Sequence, residues 1–257
     1  MKISVIGAGN VAWHIAQTLE KNGHTLLEVY SKGLDSAEKL SRYLKCAQAT
    51  NDLNFSKSKA TFFIIAVADD ALAEVAQKII LPPEAIVVHT SGSQPMDILR
   101  RTQATEWGVL YPLQTFSREK EVDFSKIMFC LEANSPEALS QIQEVAQSLS
   151  VHVRLINSQQ RKVLHIAAVF ACNFANHVWA IAENILAREN IKFDVLQPLI
   201  AETMQKAFTL SPSKAQTGPA KRGDKQIIEQ HLAYLAPHEA ERHIYQVLSQ
   251  SIAQKKD

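Results

Sequence analysis

The chain has 257 residues, 27 Lys and Arg against 26 Asp and Glu, a formal net charge of +1 and 46% hydrophobic residues. That balance suits a globular protein of one large or two modest domains, and its scattered cations give no electrostatic footprint for nucleic acid or an anionic membrane. The three cysteines, Cys46, Cys130 and Cys172, are widely spaced with no C-x-x-C pair, which fits a reducing cytoplasm.

In chain order, the first element is the strand pattern KISVI, beginning at residue 2, so no leader peptide is expected. VIGAGNVA follows at residues 5–12, with Gly7, Gly9 and Ala12 in the spacing G-x-G-x-x-A. A helix is predicted over residues 10–22, with Val11, Ile15 and Leu19 on one face and Gly23 at its C-terminal stop. Further strand patterns are TLLEVY, ATFFIIAV, AIVVHT, GVLY, IMFCLE and HVRLI. Several are apolar nearly throughout, as strands buried on both faces are. Amphipathic stretches separate them. Asp69 is placed as a helix N-cap, and Ser135 as another with Pro136 at the first helical position. Alternating βα units of this length predict a Rossmann-like, doubly wound parallel sheet over residues 1–156.

From residue 158 the strand patterns stop. Residues 157–257 read as an all-α domain that opens with a long helix over residues 159–188 and breaks at ENIKFD, at TLSPSKAQTGPAKRGD and at Pro237. The most apolar run, VLHIAAVFACNFANHVWAIA, contains His165, Asn173, Asn176 and His177, so no membrane span is expected. A helix this long and apolar on several faces has more surface than the following helices can cover, which predicts a homodimer through the helical domain.

The glycine-rich turn sits between a strand and a helix, the setting in which such spacing binds a dinucleotide. Gly7 permits the tight turn, Gly9 lets the backbone approach a pyrophosphate at the helix N-terminus, and Ala12 allows close helix–strand packing. Ala8, Asn10 and Val11 complete that cradle. An NAD site usually carries Asp or Glu about 20 residues further on, against the ribose hydroxyls. The tip of the second strand here reads VYSKG, with Ser31 and Lys32 in that place. A hydroxyl and an ammonium suit a 2′-phosphate that an acid would repel, so the expected cofactor is NADP.

Ligands of such sheets bind beyond the carboxyl ends of the strands. Three loops fall there: VADD (Val67, Ala68, Asp69 and Asp70), HTSGS with Thr90, Ser91 and Ser93, and YPLQTFS with Gln114 and Thr115. Tyr111 and Phe116 in the last are assigned to packing. Val67, Ala68, Asp69, Thr90 and Ser91 are expected beside the cofactor, and Ser93 and Gln114 beside the substrate. On the long helix Lys162, His165, Val169, Asn173 and His177 follow helical spacing and draw a partly polar stripe. His165 or Lys162 is the candidate proton donor and Asn173 the candidate substrate orienter. His231, His238 and His243 do not share a helix face, so no metal site is expected.

GAGNVA, AVADD, VVHTSGS, YPLQTFS, HIAAVFACN and TGPAKRGD together resemble a family of inferred NADP oxidoreductases with a Rossmann-like N-terminal domain and a C-terminal helical domain of unknown function. More distantly the chain is similar to pyrroline-5-carboxylate reductase, deazaflavin-dependent NADP reductase and the β-hydroxyacid dehydrogenases. Many members of the resembled family have His where this chain has Tyr111. The β-hydroxyacid dehydrogenases place a Lys and, one turn later, an Asn on a comparable helix; here Lys162 and Asn173 are nearly three turns apart. The resemblance implies hydride transfer between NADP(H) and a small substrate. Arg222, presented by the TGPAKRGD loop, suits capture of a carboxylate or phosphate, so an anionic polar substrate is expected. The rival is a non-catalytic NADP-binding sensor acting on a partner through its helical domain.

Overall fold

The computed structural model describes residues 1–254, which divide into two compact units, Met1–Asn173 and Phe174–Asp257. The first is built on an eight-stranded sheet: β1 (Lys2–Ile6), β2 (Thr25–Tyr30), β3 (Gln48–Thr50), β4 (Phe62–Ile65), β5 (Ile86–His89), β6 (Glu106–Leu113), β7 (Met128–Ala133) and β8 (Val153–Leu155). Their order across the sheet is β3-β2-β1-β4-β5-β6-β7-β8. All neighbours are parallel except β6 and β7, which pair antiparallel from Gly108↔Ala133 to Leu113↔Met128. β4 is buried at every residue, as is β5, which is why each reads as a continuous apolar run. The expected doubly wound sheet is present. It has gained β3, a three-residue polar edge strand with no apolar signal, and one antiparallel pair.

The helices of this unit cover both faces. α1 (Asn10–Lys21) buries Ala12, Ile15, Ala16 and Leu19 against the sheet and stops where Gly23 adopts φ +87°. α2 (Leu34–Ser41) follows β2 and α3 (Asp69–Lys78) follows β4. α4 (Pro136–Leu149) begins at Ser135, whose side chain accepts from the Ala138 N–H, with Pro136 in the first turn as expected. Asp69 is not a cap. The N-cap is Ala68, and Asp69 is the first helical residue, its carboxylate taken by the Ser93 hydroxyl.

The long helix runs from Ser158 to Arg188 in three stretches: α5 (Ser158–Ala168), a π-helical segment Val169–Phe174, and α6 (Ala175–Arg188). It is long and apolar enough to cross a membrane by length and composition only. Its first half is nevertheless part of the sheet unit. Leu164 packs with Val109, Tyr111 and Cys130, and Arg161 is fully buried in an ion pair with Glu132 of β7. The expected domain division lay at residues 156/157, where α5 is about to begin; the two compact units part further on, at the end of the π segment.

The second unit continues α6 with α7 (Gln197–Leu210), the single turns α8 (Pro212–Ala215) and α9 (Pro219–Arg222), α10 (Lys225–Tyr234) and α11 (Glu239–Gln254). α9 packs against both α10 and α11, and the partly buried Arg188–Glu241 ion pair ties α6 to α11. In the TGPAKRGD loop Gly218 and Gly223 hold φ +105° and +71°, and Asp224 caps α10. The constrained loop is therefore as expected, although part of it is a helical turn.

Candidate functional site

The site forms where the sheet reverses direction, since β1 has β2 on one side and β4 on the other. Gly7 stands at that point with φ +124°, and a Cβ there would meet the Ala66 carbonyl oxygen at 2.2 Å. No side chain fits, because the end of β4 presses against the turn. Gly9 answers a different need. Nothing lies within 4 Å of its Cβ position, so its bareness keeps space open above the turn. It is also the N-cap of α1 and provides no side-chain cap. The helix thus presents its first N–H groups and positive dipole end to that space, an arrangement that suits an anion.

A cavity of about 760 Å3 extends from the turn toward the tip of β2, lined by Gly7, Ala8, Gly9, Ser31, Lys32, Val67 and Ala68 among others. A second cavity, about 530 Å3, extends the other way and shares Gly9, Ala66, Val67 and Ala68 with the first. Asn10, Val11, Asp69, Thr90, Ser91, Gln114, His165 and Asn173 line it. Every residue expected to hold the cofactor therefore borders one or both cavities. The pair forms an elongated cleft with the anion-suited helix end at its centre, an outline that fits a dinucleotide.

Arg118, unforeseen in the sequence, also lines the larger cavity. Its guanidinium donates to the Ala8 carbonyl at 2.5 Å and lies 5.0 Å from the Trp13 ring centroid. The segment carrying it is stitched to the glycine-rich turn: Asn10 Nδ2 donates to the Phe116 carbonyl at 3.0 Å, and His14 Nε2 donates to that of Ser117 at 2.8 Å. Lys32 and Arg118 make this end of the cleft cationic. Lys78, on the same wall, is held by Glu74 at 2.6 Å.

At the other end His165 Nδ1 is 3.2 Å from the Tyr111 hydroxyl. Gly92 allows this pair to sit against the HTSGS loop, because a Cβ there would lie 2.6 Å from His165 Nδ1 and 2.8 Å from Tyr111 Cζ. Burial pushes the Tyr111 phenol up to about 12, so at neutral pH it keeps its proton and can donate it to Nδ1. With Nδ1 accepting, the neutral ring carries its one proton on Nε2; with a second proton on Nδ1 both nitrogens are donors and the Tyr111 oxygen is the acceptor. Tyr111 is thus more than the packing residue expected.

In a regular helix His165 and Asn173 would differ by about 80° around the axis, since eight residues advance about 100° each. The π segment has wider turns and a smaller advance per residue. Both side chains border the same cavity. Lys162 is exposed and lines neither cavity. Ser93, expected beside the substrate, donates to Asp69 and lines neither cavity; Ser91 Oγ accepts from the Ser93 and Gln94 N–H groups, so HTSGS is a hydrogen-bonded turn of which Thr90, Ser91 and Gly92 form cavity wall. Arg222 belongs to the second unit, exposed and 3.9 Å from Asp224. No cluster of metal-ligating side chains occurs among the described residues.

Two buried groups hold this end in place. Arg161, one turn before His165, pairs with Glu132 at 2.5 Å and donates to the Gln94 carbonyl at 2.6 Å, joining α5 to β7 and to the loop after β5. His89, at the end of β5, accepts the Ser91 N–H at Nδ1, and burial, then the charge of Arg161, pushes it down to about 3. Neither had a local sequence signal. In QRKVLH the sequence draws attention to Lys162 and His165, and the acid that pairs with Arg161 lies 29 residues earlier in the chain.

Residues 1–114 match the model of the Rossmann-like domain, and residues 127–252 match DUF2520, a domain of unknown function. No curated protein sequence matches the chain. Among solved structures, the putative NADP oxidoreductase BF3122 from Bacteroides fragilis is 42% identical, with a TM-score of 0.92 over 99% of this chain and 98% of that one. Protein TM1727 from Thermotoga maritima is 20% identical, with a TM-score of 0.74 over 98% of this chain and 100% of that one. A reductive aminase from Aspergillus terreus, solved with NADPH and ethyl levulinate, shares the fold at 13% identity and a TM-score of 0.74, over 98% and 93% of the two chains. With 42% identity to BF3122 along nearly its whole length, the chain belongs to the family that joins a Rossmann-like domain to a DUF2520 domain.

Proposed function

We propose that this protein is an NADP-dependent oxidoreductase that transfers hydride between NADP(H) and the carbon of a small carbonyl or imine. The observation that carries the reading is the cleft itself: a glycine-rich turn and open helix end at its centre, cations at one end, and the Tyr111–His165 pair at the other. Similarity to BF3122, whose description names an NADP oxidoreductase, supports the same cofactor. When bound, the nicotinamide supplies or accepts the hydride. The chain's residues do the rest. Ser31, Lys32 and Arg118 would hold the 2′-phosphate end, and the N-terminus of α1 the pyrophosphate. His165, as the imidazolium, would give its Nε2 proton to the substrate oxygen or nitrogen during reduction, with the Tyr111 hydroxyl oxygen accepting from Nδ1–H and holding the ring in place. Asn173 would orient the substrate, with Gln114 as a further polar contact. Lys162 is the weaker candidate for proton donor because it lines neither cavity.

The sensor reading has less support, because polar groups with acid–base capacity converge beside an open cavity. An anionic substrate rested on Arg222, and the substrate end of the cleft offers no cation in its place. Cytoplasmic localisation fits the three free thiols. A homodimer through the helical domain fits the apolar side chains it leaves exposed, among them Leu199, Val195 and Phe208, the last 83% exposed. The test is a screen of carbonyl compounds and imines against NADPH and NADH, followed by nicotinamide absorbance, with the wild type and His165→Ala in parallel. NADPH-dependent turnover that the variant loses supports the assignment; full turnover by the variant refutes the role of His165.

A further inference from the structure

Beside the catalytic end of the cleft lies a third cavity, about 450 Å3, contained within the first unit. It meets the nicotinamide-end cavity along a polar seam that includes Tyr111, His165 and Asn173. Beyond the seam its wall is Leu113, Leu164 and Val169 with Ala167, Ala168 and Ala171, and no Asp, Glu, Lys or Arg is part of it. The alanines leave the room, and the widened π turn carries part of the wall.

We propose that this cavity takes the apolar body of a neutral substrate whose carbonyl or imine group lies at the seam. This deepens the oxidoreductase reading and rests on it for the chemistry. The physical argument is one of placement. A carboxylate or phosphate in this cavity would give up part of its water and find no cation in the lining, whereas an apolar ring or branched chain would bury surface that favours leaving water. The volume is in the range of small-molecule sites, which combine an apolar lining with a few convergent polar groups. NADPH bound in the cleft would supply hydride for the substrate carbon, and the C=O or C=N π pair would take the Nε2 proton of the His165 imidazolium at oxygen or nitrogen, leaving a neutral ring protonated at Nδ1. The products are an alcohol or amine and NADP+, and solvent returns the proton to His165.

The experiment titrates the NADP+-loaded protein with two inert carboxamides by calorimetry. Cyclohexanecarboxamide carries a neutral apolar ring, and succinamate carries a carboxylate. The expected result is that cyclohexanecarboxamide binds at least about tenfold more tightly, and that Ala168→Leu and Ala171→Leu each weaken it about tenfold or more. NADP+ affinity and thermal midpoint stay unchanged in the variants, which separates a filled cavity from a damaged fold. Equal or tighter binding of succinamate, no binding of either amide, or indifference to both substitutions overturns the proposal. If the substitutions change the mass in solution instead, the occupant is a second copy of the chain and the proposal again fails. Turnover is read separately with cyclohexanecarbaldehyde and NADPH. Ring-amide binding without turnover leaves the cavity assignment standing and counts against the oxidoreductase reading; turnover confined to anionic carbonyls does the reverse.

Discussion

Replacing Glu132 by Gln should cost far more stability than its position at the end of a strand suggests. Its partner Arg161 has no exposed side-chain surface, and Glu132 is only 17% exposed. The carboxylate also accepts from Ser158 Oγ at 2.7 Å, while Ser158 Oγ accepts the Met96 N–H at 2.9 Å. One substitution therefore leaves a guanidinium charge in the interior and loosens the joint of β7, α5 and the loop after β5. Breaking a buried pair from one side typically costs about 3–5 kcal/mol. The Glu74–Lys78 pair is an internal control, with side chains 60% and 63% exposed, and its loss should cost little, because solvent screens it. In a Trp179→Phe background, urea unfolding followed through Trp13 and Trp107, both in the first unit, would compare Glu132→Gln with Glu74→Gln. Replacing both Arg161 and Glu132 by Met should recover much of the loss, since no buried charge is then left alone. His165 lies one turn beyond Arg161, so turnover should fall in Glu132→Gln even under conditions where the protein is folded. If Glu132→Gln costs no more than Glu74→Gln, the buried pair is not what seats the helix.

His165→Ala and Asn173→Ala should each reduce turnover by about 10²–10⁴ with NADPH affinity nearly intact, as expected for groups at the reacting end; unchanged turnover together with a lowered thermal midpoint would make them structural. Arg118→Ala should weaken NADPH about tenfold or more and NADH much less, because a charge-assisted contact to phosphate is worth about 1.5–3 kcal/mol, and equal losses for both in calorimetry would remove Arg118 from the 2′-phosphate. His89 has a folded value near 3 against 6.5 for the unfolded chain, so its contribution is full above pH 6.5 and is lost as pH falls toward 3. At pH 5 that loss is about 2 kcal/mol. The urea midpoint of wild type should therefore fall further between pH 7 and pH 5 than that of His89→Gln, and equal falls would contradict it. Light scattering at micromolar concentration should give a dimer mass, and a strictly monomeric mass would leave the exposed apolar helices without this explanation.

How much of this was legible follows from how local each signal is. Strands such as β4 and β5 are apolar because both faces are covered, and that pattern is visible along four residues. β3 is a polar edge strand and carries no such mark. The Gly7 turn could be read because a backbone constraint dictates its residue type. Asp69 was misread because an acid opening a helix looks the same whether it caps the backbone or binds Ser93. Tyr111 and His165 are 54 positions apart, and Arg161 and Glu132 29; only the sheet and the long helix bring them together. The π segment has no sequence mark either, although it lies between His165 and Asn173 on the wall of the cavity they share.

Binding of NADP(H) in the cleft is measured by calorimetric titration of the wild type with NADPH and with NADH, repeated with Ser31→Asp. NADPH should bind the wild type at least about tenfold more tightly, and the preference should move toward NADH when an acid stands beside Lys32 at the proposed 2′-phosphate end. Equal affinities in the wild type, or NADH ahead, would contradict it.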